Sequence, residues 1–332
     1  MIELTNISKR FGSVDALCDM TLHIGPAELF GFIGPNGAGK STTMKILAGL
    51  LQQDSGVARV CGLDCRTESA KVRMMLGYMP DFLGVYDDLT VDEYLQFFAS
   101  AFGLPRKARR ATIESVLQLT DLVGKQHAPV EGLSRGMQQR LGIARVLLHE
   151  PKVLLLDEPA SGLDPRARIE LRELLVELRR MGKCIMVSSH ILSELGEMST
   201  SIGIIERGRL LFAGSIAQAF ARSGVGERIT VRLEAPADTD AADPAADARR
   251  IADTLLREDR VARATGDAES TDGRPPVGRI VIELQPGENG SAHGHHFLIQ
   301  ALIAAGARIG SFVPEQARLE DAFLRLTKGA LN

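Results

Sequence analysis

The sequence predicts an α/β protein with a parallel sheet buried on both faces, followed by a smaller α+β domain. Three almost uninterrupted apolar runs, Leu29–Ile33, Val153–Leu156 and Cys184–Ser188, indicate the central strands, because strands covered by helices on both faces are apolar throughout. Helical patterns lie between these runs, as in an α/β fold. The composition changes near residue 222, so we expect one domain over residues 1–222 and a second over residues 228–332.

The elements at the start of the chain follow from local pattern. Ile2–Ile7 and Leu17–Ile24 read as strands, and the second alternates toward a turn at Gly25-Pro26. A helix is expected over Ser41–Leu51. Residues 88–150 are expected to be mostly helical. Within them, apolar residues recur at helical spacing over 91–102 and 112–122.

A glycine-rich loop joins the strand Leu29–Ile33 to the expected helix. It matches the pattern G-x-x-x-x-G-K-[ST]. In this strand–loop–helix setting, backbone N–H groups and the helix N-terminus can bind phosphates. Lys40 supplies a positive charge, and the Ser41 hydroxyl suits Mg²⁺. The candidate nucleotide-binding residues of the loop are Gly34, Pro35, Asn36, Gly37, Ala38, Gly39, Lys40, Ser41 and Thr42.

Two carboxylates follow the strand Val153–Leu156. Asp157 ends the strand, so it is expected beside the phosphate-binding loop, where it would hold Mg²⁺ directly or through water. Glu158 points elsewhere and is placed to polarise an attacking water. A positioned general base contributes about 10²–10⁴-fold to such a step. The pattern therefore predicts hydrolysis of ATP with Mg²⁺ as the metal cofactor.

A further motif lies between these two sites. Residues 133–140 read Leu-Ser-Arg-Gly-Met-Gln-Gln-Arg, and residues 161–165 read Ser-Gly-Leu-Asp-Pro. With the loop and the carboxylates, and in this order, residues 1–222 resemble the nucleotide-binding subunit of an ABC transporter. The resemblance implies a P-loop ATPase domain whose helical subdomain, about 88–150, carries the signature Leu133–Gln138.

The resemblance also implies roles for residues outside the loop. Phe11 would stack on adenine, although an aromatic residue after a strand is also common in a core. His190 would sense the γ-phosphate, although a histidine at a strand end is often structural. Ser134 and Gly136 would contact the γ-phosphate of ATP held by a second copy. The implied partner is therefore another copy of the chain, paired head to tail, with ATP between the subunits and hydrolysis separating them.

Three segments resemble the drug and lipid exporter class. They are Gly77–Asp81, Leu89–Leu95 and Leu319–Leu324. In that class the membrane permease is often a separate chain, which implies a cytoplasmic protein held at the inner face of the cell membrane by its permease. The sequence itself lacks a run of about 18 apolar residues for a membrane span and a secretion signal pattern. In the family, the permease selects the substrate.

Two positions depart from the commonest family pattern. Asp81 stands where most members have glutamine, and a carboxylate can still lie near Mg²⁺. Arg135 replaces the first of two signature glycines. Its cation either assists γ-phosphate binding or points outward, since a helix N-terminus can hold phosphate by its backbone alone.

Charge and chain organisation bear on the other function classes. The net charge is −3 over 332 residues, which gives no electrostatic case for nucleic acid as a partner. A soluble ABC-type ATPase of DNA repair, chromosome structure or translation is an alternative. However, the segment from Lys40 to Asp157 is too short for an inserted coiled coil, and only one ATP-binding loop is present. A nucleotide-responsive regulator is the remaining alternative, against which ATP hydrolysis would argue.

The C-terminal domain reads as β-α-β-β-α-β, a ferredoxin-like plan, followed by an amphipathic helix over 315–327. It offers no catalytic constellation. His293, His295 and His296 form either a metal site or, more typically for such a loop, solvated residues. The four cysteines, Cys18, Cys61, Cys65 and Cys184, are scattered, which favours reduced structural thiols.

Overall fold

The computed structural model describes residues 1–82, 84, 88–223, 226–234, 243–270, 276–285, 294–315 and 319–328. The chain forms two compact units, Met1–Ile216 and Ala217–Asn332. The strands of the first unit are β1 Ile2–Phe11, β2 Val14–Ile24, β3 Leu29–Ile33, β4 Ser55–Val60, β5 Leu63–Asp64, β6 Leu76–Met79, β7 Val153–Asp157, β8 Cys184–Ser189, β9 Ser201–Glu206 and β10 Arg209–Ser215. Its helices are α1 Lys40–Leu47, α2 Ser69–Met75, α3 Val91–Ala101, α4 Arg106–Leu119, α5 Arg135–Leu147, α6 Pro165–Arg180 and α7 Leu192–Met198, and α8 Ile216–Ser223 crosses the boundary between the units.

The main sheet confirms the predicted α/β core. Its strand order is β10-β9-β3-β8-β7-β6. The strands from β9 to β6 pair in parallel, and β10 pairs antiparallel with β9. Every residue of β3, β7 and β8 is buried, which explains why these strands are apolar along their whole length.

A second, antiparallel sheet packs on this core. Its order is β2-β1-β4-β5. Side chains of β1, β2 and β4 share one hydrophobic cluster with α1, β3, β7 and β8, including Leu4, Leu22, Met44 and Leu155. The cluster lies between the two sheets, so α1 is held by apolar packing on both sides. The glycine-rich loop before α1 is thereby attached to the most buried part of the unit.

Three helices form the predicted helical region. A capping box starts α3: the Thr90 hydroxyl accepts from the Glu93 N–H, and the Glu93 carboxylate accepts from the Thr90 N–H. Such a cap stabilises a helix by about 1 kcal/mol. Helix α4 begins at Arg106, ahead of the apolar pattern over residues 112–122, and its first turn is polar and largely exposed. Helix α1 ends at Leu47 rather than Leu51, since Gly49 adopts φ +67°.

The second unit confirms the ferredoxin-like plan. Its strands are β11 Arg228–Leu233, β12 Val261–Glu269, β13 Val277–Leu284 and β14 Ile309–Glu315, and its helices are α9 Pro244–Leu255, α10 His296–Ala304 and α11 Leu319–Lys328. The antiparallel sheet has the order β12-β13-β11-β14. The last helix starts later than predicted, because Glu315 still pairs with Arg228 in the sheet.

Two further features of the described residues concern membranes and thiols. None of their helices is long and apolar enough to cross a bilayer. Cys18, Cys61, Cys65 and Cys184 are all free. Burial raises the pKa of the Cys65 and Cys184 thiols to about 12. Since the thiolate is the reactive form, these two side chains are inert packing groups.

Candidate functional site

The candidate residues that follow the parallel strands meet at one edge of the main sheet. Strands β3, β8, β7 and β6 run in the same direction, so their carboxyl ends lie at the same edge. The glycine-rich loop follows β3, and His190 follows β8. Asp157 and Glu158 lie at the end of β7, and Asp81 follows β6. Residues far apart in the sequence are thus brought to one cleft edge.

Glycine is required at two points of the loop. Gly39 adopts φ +113°, a conformation that side chains rarely allow, and a Cβ there would lie 2.7 Å from the Ala16 carbonyl oxygen. A Cβ on Gly34 would collide with the Ile205 carbonyl. The loop therefore passes against the backbone of neighbouring segments, and only glycine permits that path.

The N-terminus of α1 is open to an anion. No side chain caps it, and its first turn, which begins at Lys40, contains no acidic residue. The first N–H groups of an α-helix have no intrahelical partner, and the positive end of the helix dipole lies there. Both features fit a phosphate group.

Lys40 is placed across the mouth of the loop. It is 5% exposed, and its Nζ donates to the Gly34 carbonyl at 2.6 Å and the Pro35 carbonyl at 3.3 Å. The same Nζ lies 3.3 Å from Glu158 Oε1. A buried ammonium held by carbonyls and one carboxylate is a strong electrostatic partner for an incoming anion, because little solvent screens it.

Ser188 bonds the Asp157 carboxylate and the Glu158 backbone at the end of β7. Its hydroxyl donates to Asp157 Oδ1 at 2.6 Å and accepts from the Glu158 N–H at 2.9 Å. Asp157 is 3% exposed, so this charge-assisted hydrogen bond stabilises a carboxylate that water reaches poorly. The sequence pattern predicts a strand that contains Ser188 but does not predict this contact. The contact depends on the register that sets Asp157 opposite Ser188.

Glu158 has an unusual backbone conformation and two basic neighbours. Its φ is +49°, a region that is costly for a residue with a side chain. Its Oε1 faces Lys40, and its Oε2 lies 2.8 Å from His190 Nδ1. His190 is half exposed, with 46% of its side chain accessible. The strained turn at the end of β7 therefore directs the carboxylate between a lysine and a histidine.

Phe11 and Asp81 lie at the ends of their strands, exposed to solvent. The Phe11 ring is 49% exposed, and Lys9 Nζ lies 5.5 Å from its centroid, so the ring is available for stacking. Burial, aided by the charges of Asp157 and Asp81, raises the pKa of Tyr78 to about 12. The charges of both carboxylates therefore act on the Tyr78 phenol.

The signature residues start α5. The exposed Ser134 caps the helix, its hydroxyl accepting from the Met137 N–H at 3.4 Å. A Cβ on Gly136 would lie 2.8 Å from Ala167 Cβ, so glycine allows α5 to pack closely on α6. The Arg135 guanidinium lies against Gly162, where any added Cβ would collide with it. Arg135 therefore contacts its own chain, an arrangement that neither sequence interpretation included.

The oxygen groups at this edge fit a magnesium ion. Asp157 offers a carboxylate of which the Ser188 bond engages Oδ1, and the Ser41 hydroxyl is exposed at the start of α1. Within the described residues, no group of three or more His, Cys, Asp or Glu side chains could hold a metal. Proteins commonly bind Mg²⁺ through one or two carboxylates together with substrate phosphates and water, and Asp157 with Ser41 offers oxygen groups of that kind.

Two of the three C-terminal histidines considered as a metal site lie among the described residues. His295 Nε2 lies 2.9 Å from Glu227 Oε2, and His296 is the first residue of α10. His293 lies outside the described residues.

Known proteins share this architecture and sequence. A family model described as ABC transporter matches residues 17–161. Nod factor export ATP-binding protein I of Burkholderia pseudomallei (strain 1710b) is 38% identical over 214 residues, which is 64% of this chain and 70% of that protein. The probable multidrug ABC transporter ATP-binding protein YbhF of Escherichia coli (strain K12) is 38% identical over 215 residues, which is 65% of this chain and 37% of that protein.

A solved structure gives the same result for the fold. The ATP-binding subunit of an ABC transporter superimposes with a TM-score of 0.61 and 29% identity, over 68% of this chain and 93% of that chain. The glycine-rich loop, the two carboxylates and the signature thus occur in a chain whose fold and sequence are similar to those of proteins that bind and hydrolyse ATP. The chain therefore belongs to the family of ABC transporter ATP-binding proteins, and it is an ATPase.

Proposed function

We propose that the chain is the ATP-hydrolysing subunit of an ABC exporter whose permease is a separate membrane protein. The observation that carries the proposal is the Glu158 carboxylate held between Lys40 and His190 beside the uncapped start of α1. This arrangement supplies a phosphate site, a base and a histidine in contact with that base. The similarity to proteins named for Nod factor export and multidrug transport supports export as the direction of transport.

In this proposal, residues 34–42 bind the phosphates of ATP through backbone N–H groups and Lys40. Lys40 would exchange its carbonyl and Glu158 contacts for phosphate oxygens, which frees the carboxylate to accept a proton from water. His190 then orients Glu158 through the 2.8 Å contact and senses the γ-phosphate. Phe11 stacks on adenine.

Magnesium would be held by Asp157 and Ser41, with Asp81 nearby, and when bound it would neutralise charge on the phosphate oxygens. The Ser188 bond orients the Asp157 carboxylate for that task. Asp81 is less constrained because it is exposed after β6.

The second partner is another copy of the chain. Ser134 and Gly136 start α5, whose N-terminal N–H groups offer a second phosphate site. The two copies would pair head to tail, each offering α5 to the ATP of the other, and hydrolysis would separate them. In this arrangement the chain lies at the cytoplasmic face of the membrane through its permease.

The test uses Glu158→Gln in the full chain. Removing the base should lower kcat by about 10²–10⁴-fold while ATP affinity, measured by calorimetry, is retained. With ATP and Mg²⁺, size-exclusion chromatography should show a dimer that ADP does not support. The matched control is Glu173→Gln, which removes a carboxylate exposed on α6 and should behave as wild type. Normal turnover in Glu158→Gln would refute the assigned base.

The membrane partner requires a separate test. The tagged chain should co-purify from detergent-solubilised membranes with a multi-span membrane protein, which mass spectrometry identifies. ATPase activity without any such protein in the complex would leave a soluble ATPase as the correct function and overturn the exporter proposal.

A further inference from the structure

Residues Ser161–Asp164, here called the linking loop, connect the segment after Glu158 to α6. Side chains of the same chain hold this loop at two points. The Arg135 guanidinium, from the start of α5, lies against Gly162. Arg168 Nε, from α6, donates to the Leu163 carbonyl at 3.0 Å. The path of the loop is therefore set by two arginines.

Arg168 also reaches the helix that follows His190. Its Nη1 lies 3.0 Å from Glu194 Oε1, and Glu194 belongs to the first turn of α7. One guanidinium thus contacts both the linking loop and α7. A planar guanidinium with donors in fixed directions is well suited to hold two groups in one geometry.

Side chains do not fill all of the space between α6 and α7. A cavity of about 390 Å³ lies between these helices. Two ion pairs line it, Arg168 with Glu194 and Arg172 with Glu197. Of the two, the Arg168 pair is the one that also contacts the linking loop. Leu195 of α7 is buried against Gly31 of β3, and the two ion pairs add the polar ties between α7 and α6.

We propose that Arg168 is a positioning residue for ATP hydrolysis, which holds the linking loop and His190 in the geometry that hydrolysis requires. The inference rests on the proposed roles of Glu158 and His190. If α7 shifts, His190 leaves its 2.8 Å contact with Glu158, and the base loses its orientation. Misplacement of a catalytic group by about 1 Å can cost about a hundredfold in rate.

The first test compares steady-state kinetics. Arg168→Ala should lower kcat by about ten- to a hundredfold while the Kd for ATP changes by less than about twofold. Arg168→Lys should recover part of kcat, since an ammonium can still pair with Glu194. Arg172→Ala is the matched control, because it breaks the other α6–α7 pair and leaves the linking loop untouched. Equal kcat values for Arg168→Ala and Arg172→Ala would overturn the inference.

The second test uses pH. Burial raises the pKa of Glu194, with Glu158 adding to the rise and Arg168 and His190 opposing it. In wild type, kcat should fall as Glu194 takes up a proton. Arg168→Ala removes the opposing cation, so this acid limb should move to higher pH. Glu194→Gln cannot titrate and should abolish the limb.

The outcomes separate the two proposals. If His190→Ala retains wild-type kcat, the proposed function of the site is wrong whatever Arg168 does. If His190→Ala is inactive while Arg168→Ala has wild-type kcat and an unshifted acid limb, only the positioning inference is wrong. Should Arg168→Ala fail to fold by circular dichroism, Arg168→Lys and the pH profile of Glu194→Gln decide the question.

Discussion

Replacing Ser188 by alanine should weaken the ATPase unit more than any other loss of a single hydroxyl in β8. The hydroxyl is fully buried and makes two bonds, one to the Asp157 carboxylate at 2.6 Å and one from the Glu158 N–H at 2.9 Å. A hydrogen bond to a charged group contributes about 1.5–3 kcal/mol, and an orphaned buried donor adds about 1–3 kcal/mol. We therefore expect Ser188→Ala to lower the free energy of unfolding by about 2.5–6 kcal/mol.

The matched control is Ser189→Ala. Ser189 is also buried, at 5% exposure, but its hydroxyl accepts a single neutral bond from the Ile191 N–H at 3.0 Å, so about 1 kcal/mol is expected. In a unit of this size, 1 kcal/mol corresponds to about 2–4 °C in Tm. Ser188→Ala should thus melt roughly 5–24 °C below wild type, and Ser189→Ala roughly 2–4 °C below.

Thermal unfolding followed by far-UV circular dichroism provides the assay. The transition that moves up when ATP is added belongs to the nucleotide-binding unit, and its midpoint is compared among the three proteins. ATPase activity should fall with Ser188→Ala, since the Asp157 carboxylate and the Glu158 N–H lose their common partner. Equal midpoints for Ser188→Ala and Ser189→Ala would show that the Asp157 bond contributes nothing, and would refute the reasoning.

Two further predictions concern the adenine site and the junction of the helical region. Phe11→Ala should weaken ATP binding by about tenfold, because base stacking contributes about 1–3 kcal/mol. Phe11→Tyr and the exposed control Val14→Ala should leave the Kd for ATP, measured by calorimetry, unchanged. An unaltered Kd in Phe11→Ala would argue against stacking. Burial lowers the pKa of His149 below its ordinary value of 6.5. As pH falls, His149 therefore binds a proton in the unfolded chain at a higher pH than in the folded chain. The urea midpoint should therefore decrease below about pH 6.5 in wild type and less so in His149→Gln, and parallel pH profiles for the two proteins would contradict this.

Elements defined by neighbouring residues were predictable. Leu29–Ile33 and residues 34–41 carry a strand and a loop whose chemistry lies in one short segment. The ferredoxin-like unit was predictable from the order of its strands and helices, which match the observed sheet. Its last helix was placed too early, since a sequence pattern does not reveal that Glu315 pairs with Arg228.

Contacts between distant segments were not predictable. The Asp157–Ser188 bond depends on which strand lies beside β7. The placement of Arg135 against Gly162 depends on the packing of α5 beside the linking loop. The start of helix α4 at Arg106 left no apolar pattern in the sequence, because its first turn consists mainly of exposed basic residues.

The sequence by itself determined a loop whose spacing suits phosphate and two carboxylates at the end of a buried strand, and its family resemblance predicted a metal ligand, a base and a signature for a second copy. Those properties belong to residue types at fixed short spacing, which the backbone geometry of a strand, turn or helix start converts directly into a site. Only the tertiary structure decided how the parts are held. Ser188 joins the Asp157 carboxylate to the Glu158 backbone, and Arg168 joins the linking loop to α7. Such contacts form where separate elements pack together, and a local sequence pattern does not show which elements pack against each other.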